Sequence, residues 1–266
     1  MGKDVLISGA CGKMGREVVK TVVEDTESTA VAAFDKQKVG TDIVSELGLE
    51  GPECLVYDDL SKAIEETNPE VIIDFTSPEI VVQNIKTGLS NGVHMIVGTT
   101  GITEVDMKKI KNWSQEYGKN ALIVPNFALG AVLLMEFAAR AGEYFNDVEI
   151  IELHHDQKLD APSGTSLKTA EVINERKERK ESSKKEDHIE KLSGVRGGNK
   201  DGINIHSVRL PGLVAHQEVI FGGEGQSLKI RHDSYDRKSF MPGVRLALDK
   251  IDSIRGVVYG LEKILD

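Results

Sequence analysis

The stretch Val5-Leu6-Ile7-Ser8-Gly9-Ala10-Cys11-Gly12-Lys13-Met14-Gly15 decides how this chain begins to fold. Its first four residues are a short apolar run of the kind carried by a buried parallel strand. Three glycines follow at three-residue spacing, G-x-x-G-x-x-G rather than the commoner G-x-G-x-x-G. Val18, Val19, Val22 and Val23 then recur at helical spacing over residues 16–24. Strand, glycine loop and helix in that order let the backbone turn tightly and meet a pyrophosphate, which the helix N-terminus stabilises. A glycine motif alone also fits a plain βαβ start. The second strand adds weight: residues 30–34 end at Asp35, twenty residues after Gly15, where an acid can accept both ribose hydroxyls of NAD. Lys36 comes next and could pair with a 2′-phosphate, so the opposed charges point to use of NADH or NADPH.

Moving outward, the same alternation repeats. Residues 54–57 read as a short strand, 60–66 as a short helix, and 70–75 as a buried strand ending in Thr76-Ser77-Pro78. A helix over 81–91 precedes a strand over 94–97, and the turn Gly98-Thr99-Thr100-Gly101 closes it. Residues 103–118 are helical, and the strand over 121–124 ends at Pro125-Asn126-Phe127. Four or more β-α repeats with short loops predict an α/β fold, a parallel sheet covered on both faces. Ligands of such sheets bind at strand C-terminal ends. The small residues and hydroxyls of Gly98, Thr99 and Thr100 suit a nicotinamide or ribose contact there. His94 reads as a structural histidine.

An apolar helix over 130–144 leads into a second unit, and residues 147–153 alternate as a strand. The stretch that follows is Glu152-Leu153-His154-His155-Asp156-Gln157-Lys158-Leu159-Asp160-Ala161-Pro162-Ser163-Gly164-Thr165. It sets two imidazoles and an ammonium between a strand end and a helix start. Pro162 has a fixed φ suited to opening a helix, and Ser163 or Asp160 can cap it. The amides of Gly164 and Thr165 would then face an anion, and the missing Cβ of Gly164 allows close approach. A carboxylate or phosphate substrate follows from this pattern. The helix runs over 166–180, and the charged run 181–191 reads as a solvated loop or lid margin. Residues 203–210, 213–221 and 227–233 alternate, with turns at Pro211-Gly212 and 222–225. These predict antiparallel strands whose outer face could support self-association. Residues 237–240 lead into a closing helix, 244–265, broken near Gly256.

The chain has 266 residues, 39% of them hydrophobic, and a net charge of −10 from 33 basic and 43 acidic side chains. That balance argues against nucleic acid as a general partner and requires a locally positive pocket for an anionic substrate. Cys11 and Cys54 are the only cysteines. No CxxC or Cys/His metal spacing exists, so no metal site is expected and a cytoplasmic home is the default. The first residues lead straight into a strand-like run, and no apolar run has membrane length, so neither a signal peptide nor a membrane partner is expected.

The run from Glu152 to Thr165 resembles the E-x-H-H-x-x-K-x-D-A-P-S-G-T signature of the dihydrodipicolinate reductases, also called 4-hydroxy-tetrahydrodipicolinate reductases. Residues 9–15, 97–101, 125–130, 206–225 and 237–243 agree with that family. The resemblance implies a Rossmann-type domain over 1–127, completed by a C-terminal helix over 240–266. It also implies an α+β substrate and oligomerisation domain with a mixed sheet over 128–239, in a homotetramer; closure of the two domains around the ligand is a separate expectation. The activity it implies is NADH- or NADPH-dependent reduction of a cyclic dicarboxylate, hydroxylated or dehydrated, in diaminopimelate and lysine biosynthesis. Gly9, Ala10, Cys11, Gly12, Lys13 and Met14 would hold the pyrophosphate. Asp35 would bind the adenine ribose, with Lys36 standing where some members have an arginine. Gly98, Thr99, Thr100, Val124, Pro125, Asn126 and Phe127 would line the nicotinamide side. His154 would donate or accept a proton, Lys158 would donate one, and His155, Gly164 and Thr165 would bind a substrate carboxylate. Cys11 departs from the Gly or Ala that members often carry, which would make the enzyme sensitive to thiol reagents. The alternatives are another Rossmann enzyme of the aspartate or homoserine dehydrogenase type, which has no need of the 158–165 run, and a non-catalytic dinucleotide sensor.

Overall fold

The computed structural model describes residues 2–177 and 189–265. The chain divides into two compact units, one formed by the residues up to Phe127 together with those from Phe240 onward, the other by Ala128–Ser239.

The first unit alternates strands and helices: β1 (Lys3–Ser8), α1 (Lys13–Val23), β2 (Ser28–Phe34), α2 (Ile43–Glu46), β3 (Val56–Tyr57), α3 (Leu60–Thr67), β4 (Val71–Asp74), α4 (Val81–Ser90), β5 (His94–Val97), α5 (Glu104–Tyr117) and β6 (Ala121–Ile123). Local chemistry sets the ends. Thr103 and Asp106 form a reciprocal capping box at the start of α5, and Gly118 ends it in the left-handed conformation. The four-residue α2, unforeseen in the sequence, is nucleated by Asp42, whose carboxylate accepts from the amides of Val44 and Ser45. The second unit holds α6 (Leu129–Gly142), β7 (Asp147–His154), α7 (Gly164–Arg176), β8 (Gly198–Lys200), β9 (Ile203–Arg209), β10 (Ala215–Gly223) and β11 (Gln226–Ser234). A 3₁₀ turn at Arg237–Phe240 leads back to the first unit, which α8 (Met241–Lys250) and β12 (Val257–Tyr259) complete.

The large sheet has the order β12-β6-β5-β4-β1-β2-β3, and all its pairings are parallel. The chain winds outward from β1 to β3, then returns to β4 on the other side of β1. The switch point therefore lies at the C-terminal ends of β1 and β4, where the crevice of an open α/β sheet forms. Leu6, Ile72, Ile85, Leu89, Met95 and Ile110 are wholly buried in one core on this sheet. Each such side chain contributes about 1.5–3 kcal/mol, so packing of the apolar faces holds the layers together.

The small sheet has the order β11-β10-β7-β9-β8. Its core joins Leu134 and Ala138 of α6 and Ile173 of α7 to Ile150, Ile205, Val219 and Phe221 of the strands.

Three sequence expectations change. Residues 203–210 do not join an all-antiparallel set: β9 runs parallel to β7, while β8 with β9, β7 with β10 and β10 with β11 are antiparallel. Helix α7 carries the chain back along the sheet after β7, the crossover that parallel pairing requires. The closing helix stops at Lys250 rather than reaching 265. Gly256, at φ +74°, turns the chain, and the Val-Val-Tyr run that follows suits a strand and pairs with β6. The helix expected over 166–180 starts two residues earlier and ends at Arg176. Most of the charged run 181–191 lies outside the described residues.

Candidate active site

In the first unit the turn after β1 is built by close backbone approach. Gly9 has φ +82°, and a Cβ there would lie 2.4 Å from the Phe75 carbonyl oxygen; one on Gly15 would lie 2.0 Å from the carbonyl oxygen of Gly9. These two glycines are demanded by the fold itself. Gly12 caps α1 without a side-chain hydrogen bond, no acid stands in the first turn, and Lys13 is exposed. The orphan amides of a helix start with a lysine beside them favour an anion. At the end of β2 the Asp35 carboxylate accepts from the amides of Cys11, at 2.9 Å, and Gln37, at 3.0 Å. The ribose-binding candidate is thereby tied to the glycine loop. Lys36 turns away, giving its ammonium to the Asp58 carbonyl at 2.7 Å and lying over the Phe34 ring. The cations nearby are also engaged: Arg16 and Lys38 both pair with Glu46. Burial, then the Asp35 and Glu46 carboxylates, push the Cys11 thiol up. That suppresses its thiolate and opposes the expected reagent sensitivity.

Asp74, wholly buried at the end of β4, organises the neighbouring turns. It accepts from the hydroxyls of Thr76 and Thr99, each at 2.7 Å, and from the Asn84 amide at 2.8 Å. The Thr99 hydroxyl is thus committed inward, while Thr100 is exposed. Gly98 has a packing reason as well, since a Cβ would meet the Phe75 ring at 2.2 Å. Phe75 in turn stacks at a tilt on Phe127, 5.4 Å between centroids. Val124 is buried, its amide bonded to the Val97 carbonyl, with Pro125 exposed and Asn126 half-buried beside it. His94 accepts from the Asn120 amide through Nδ1, a structural role.

In the second unit the helix-covered face of β7 carries Val148, Ile150, Glu152 and His154, so it turns from apolar to charged toward its C-terminal end. Glu152 is wholly buried. Its carboxylate takes His154 Nδ1 and, from β9, both terminal nitrogens of Arg209 at 2.8 and 3.0 Å. Burial alone would raise the Glu152 carboxyl, but hydrogen bonds from His154, Arg209 and Ser207 outweigh it and hold the pKa at about 2. Beyond the strand end, Lys158 Nζ reaches both Asp160 carboxylate oxygens, at 2.7 and 2.9 Å, which lowers the Asp160 carboxyl. His155 lies exposed in the same turn.

Ser163 caps α7, accepting from the Ser166 amide at 3.2 Å; Pro162 stands before the cap rather than at the first helical position, and Asp160 serves Lys158 instead. A buried polar chain pins this helix start to β10: Ser163 to Ser166, Ser166 to Gln217, Gln217 to Thr169. A Cβ on Gly164 would meet nothing within 4 Å, and its φ is ordinary. The fold does not need glycine there, whereas an anion approaching the helix start would. His154, His155, Lys158, Gly164 and Thr165 therefore share one end of the unit. Arg209 and Asp74 escaped the sequence reading. Asp74 had a signal, an acid closing an otherwise apolar strand; Arg209 closes an alternating strand and had none.

Among the described residues no group of three or more His, Cys, Asp or Glu side chains could hold a metal ion, and no helix is long and apolar enough to cross a membrane.

Comparison with known proteins follows this division of the chain. Among solved structures, dipicolinate-bound dihydrodipicolinate reductase from Paenisporosarcina sp. TG-14 superposes with a TM-score of 0.89 at 44% identity, covering 100% of both chains. An amine dehydrogenase from Mycobacterium smegmatis shares the fold alone, with a TM-score of 0.70 at 12% identity over 97% of this chain and 95% of that one. The 4-hydroxy-tetrahydrodipicolinate reductase of Listeria innocua is 51% identical over 265 residues, 98% of this chain and 99% of that one. Its counterpart in Syntrophomonas wolfei is 47% identical over 261 residues, 98% of each. Residues 3–127 match the model of the dihydrodipicolinate reductase N-terminus and residues 130–265 that of its C-terminus. With both halves of the pattern matched in order along one chain, the protein belongs to the dihydrodipicolinate reductase family.

Proposed function

We propose that this chain reduces 4-hydroxy-tetrahydrodipicolinate to tetrahydrodipicolinate with NADH or NADPH, on the route to diaminopimelate and lysine. The observation that carries the reading is the set of proton donors gathered at one end of the second unit. In a chain of net charge −10, His154, His155 and Lys158 gather beside an α7 start whose first turn holds no acid. A cyclic dicarboxylate suits such an end, and the Paenisporosarcina relative is a dipicolinate-bound structure.

The first unit fits a dinucleotide. The uncapped start of α1 suits a pyrophosphate, and Asp35, anchored to the loop, suits the adenine ribose. Residues 9–14, Asp35, Gly98 to Thr100 and Val124 to Phe127 would hold it, and Lys36, turned to Asp58, takes no part. When bound, the reduced nicotinamide supplies one hydride, carrying two electrons.

The protein's own groups handle the rest. The amides of Gly164 and Thr165, with His155, take one substrate carboxylate. Hydride arrival leaves an electron pair on the conjugated ring, which must collect one proton. Lys158 Nζ donates it, and the charge that develops is offset by the same ammonium and by His154. If the hydroxylated ring enters, it first loses water: the leaving hydroxyl takes a proton from Lys158 and the neighbouring ring carbon gives one to His154, so the pair holds as many protons after this step as before.

We further place the protein in the cytoplasm as a homotetramer with a small-molecule substrate. Two unpaired cysteines support the compartment. The assembly rests on the family resemblance and is checked by light scattering, where four chain masses are expected. The activity is tested by coupling: a synthase generates substrate from pyruvate and aspartate semialdehyde, and nicotinamide absorbance is followed. Oxidation that depends on the synthase supports the reading. Oxidation with aspartate semialdehyde alone would move the chain to the amino-acid dehydrogenases.

A further inference from the structure

Two charges stand on the covered face of the small sheet where packing asks for apolar side chains. Register sets Glu152 of β7 beside Ser207 of β9, and His154 beside Arg209. A buried ion pair is weak evidence for stability, since well-packed apolar residues often serve as well. The pair's connections suggest a different use.

We propose that Arg209 is a positioning residue that fixes both proton-handling groups at once. This rests on the reading of His154 and Lys158 given above. The guanidinium grips both Glu152 oxygens, at 2.8 and 3.0 Å. The same Nη2 donates to the Asp160 carbonyl at 2.7 Å, and Nη1 to the Val208 carbonyl at 2.8 Å. Glu152 in turn holds His154 Nδ1, and the Asp160 carboxylate holds Lys158. One side chain from β9 therefore ties the strand end carrying His154 to the turn carrying Lys158.

Two consequences follow. Glu152 accepts a hydrogen bond from Nδ1–H, which fixes the ring plane and leaves Nε2 for the reacting side. The guanidinium also compensates the buried carboxylate, so the imidazole is not its sole counter-ion and can exchange a proton. Lysine cannot substitute, because a single ammonium lacks the planar fork that spans two carboxylate oxygens and a carbonyl.

The test compares full-length Arg209→Lys with the double variant Arg209→Leu/Glu152→Leu, which leaves no buried charge unpaired and so protects folding. NADH affinity is read by fluorescence, kcat and KM by the coupled assay, and the His154 ring by ¹⁵N NMR, assigned against His154→Gln. We expect NADH affinity within about twofold of the parent in both variants. We expect kcat to fall about 10²-fold in the double variant, with a smaller change in KM, and the Nδ1–H signature of His154 to be lost. Arg209→Lys, which keeps Glu152, should lose kcat to a similar degree and shift the Nδ1–H signature. Turnover of Arg209→Lys within threefold of the parent, or a His154 spectrum of that variant identical to the parent's, overturns the proposal. His154→Gln and Lys158→Ala are measured alongside. If they turn over normally, the underlying reading fails; if only the Arg209 variants do, the positioning role alone fails.

Discussion

At the head of α1 the groups offered to a ligand are backbone amides, shaped by Gly9 at φ +82° and by Gly15 packed on Gly9. At the head of α7 they are mainly side chains, His154, His155 and Lys158, braced by a buried Glu152–Arg209 pair. The first arrangement needs the absence of Cβ atoms and little charge. The second needs opposed charges brought together from three separate stretches, 152–154, 158–160 and 209. A pyrophosphate requires a cradle that stays fixed, which main chain supplies. A proton transfer requires groups whose charge can change, which only side chains supply, and such groups must be held by partners that do not change. The Glu152 carboxyl, pinned at about 2, remains an anion through any working pH.

This contrast can be broken at either end. The largest effect belongs to Lys158→Ala: kcat should fall by about 10²–10⁴-fold while NADH affinity, a property of the other unit, holds. Unchanged turnover in steady-state assays would remove Lys158 from the chemistry. Next comes a pair of identical substitutions. Gly15→Ala places a Cβ 2.0 Å from a backbone oxygen and should cost about 3 kcal/mol of stability, with NADH binding weakened in calorimetry. Gly164→Ala meets nothing, so thermal stability should hold or rise by up to about 1 kcal/mol. The substrate KM should nevertheless rise about tenfold, near 1.4 kcal/mol. A Gly164→Ala enzyme with parental KM would mean that no ligand approaches that helix start.

Cofactor choice gives a smaller effect. Asp35 is held on the loop, Lys36 is turned to Asp58, and Arg16 and Lys38 are paired with Glu46. NADH should therefore be favoured about tenfold in kcat/KM, and Asp35→Asn should narrow the ratio. Equal parental rates with NADPH would contradict this placement of charge.

Acid stability tests the same contrast without any ligand. The folded Glu152 carboxyl sits below its ordinary value of 4.5. Its contribution is thus fully present above about pH 4.5 and is lost as pH falls toward 2, up to about 3 kcal/mol. In circular dichroism titrations the Arg209→Leu/Glu152→Leu variant should lose less stability over that range than the parent.

These two ends also differ in how far the sequence exposes them. The strand, glycine loop and helix of residues 5–24 are contiguous, and their period and spacing are local properties, so the parallel sheet and Asp35 could be read directly. The turn carrying His154 and Lys158 was legible for the same reason. Arg209 was not, because its partner is 57 positions away and alternation over 203–210 does not reveal which strand lies alongside. The parallel direction of β9 is set by the α7 crossover, not by its own residues. The three-residue β12 was hidden inside an apolar pattern that reads equally as helix, and only its pairing with β6 decides it. Asp74 looked like a strand end, although its three side-chain partners come from two other turns and a helix.

That this protein moves a hydride to a dicarboxylate ring and supplies the matching proton itself can be followed by isotope. Turnover with NADH deuterated at C4 on the transferred face, followed by mass spectrometry of the tetrahydrodipicolinate product, tests it most directly. One deuterium is expected in the product ring per cofactor oxidised. Oxidation of the cofactor with no deuterium in the product would contradict it.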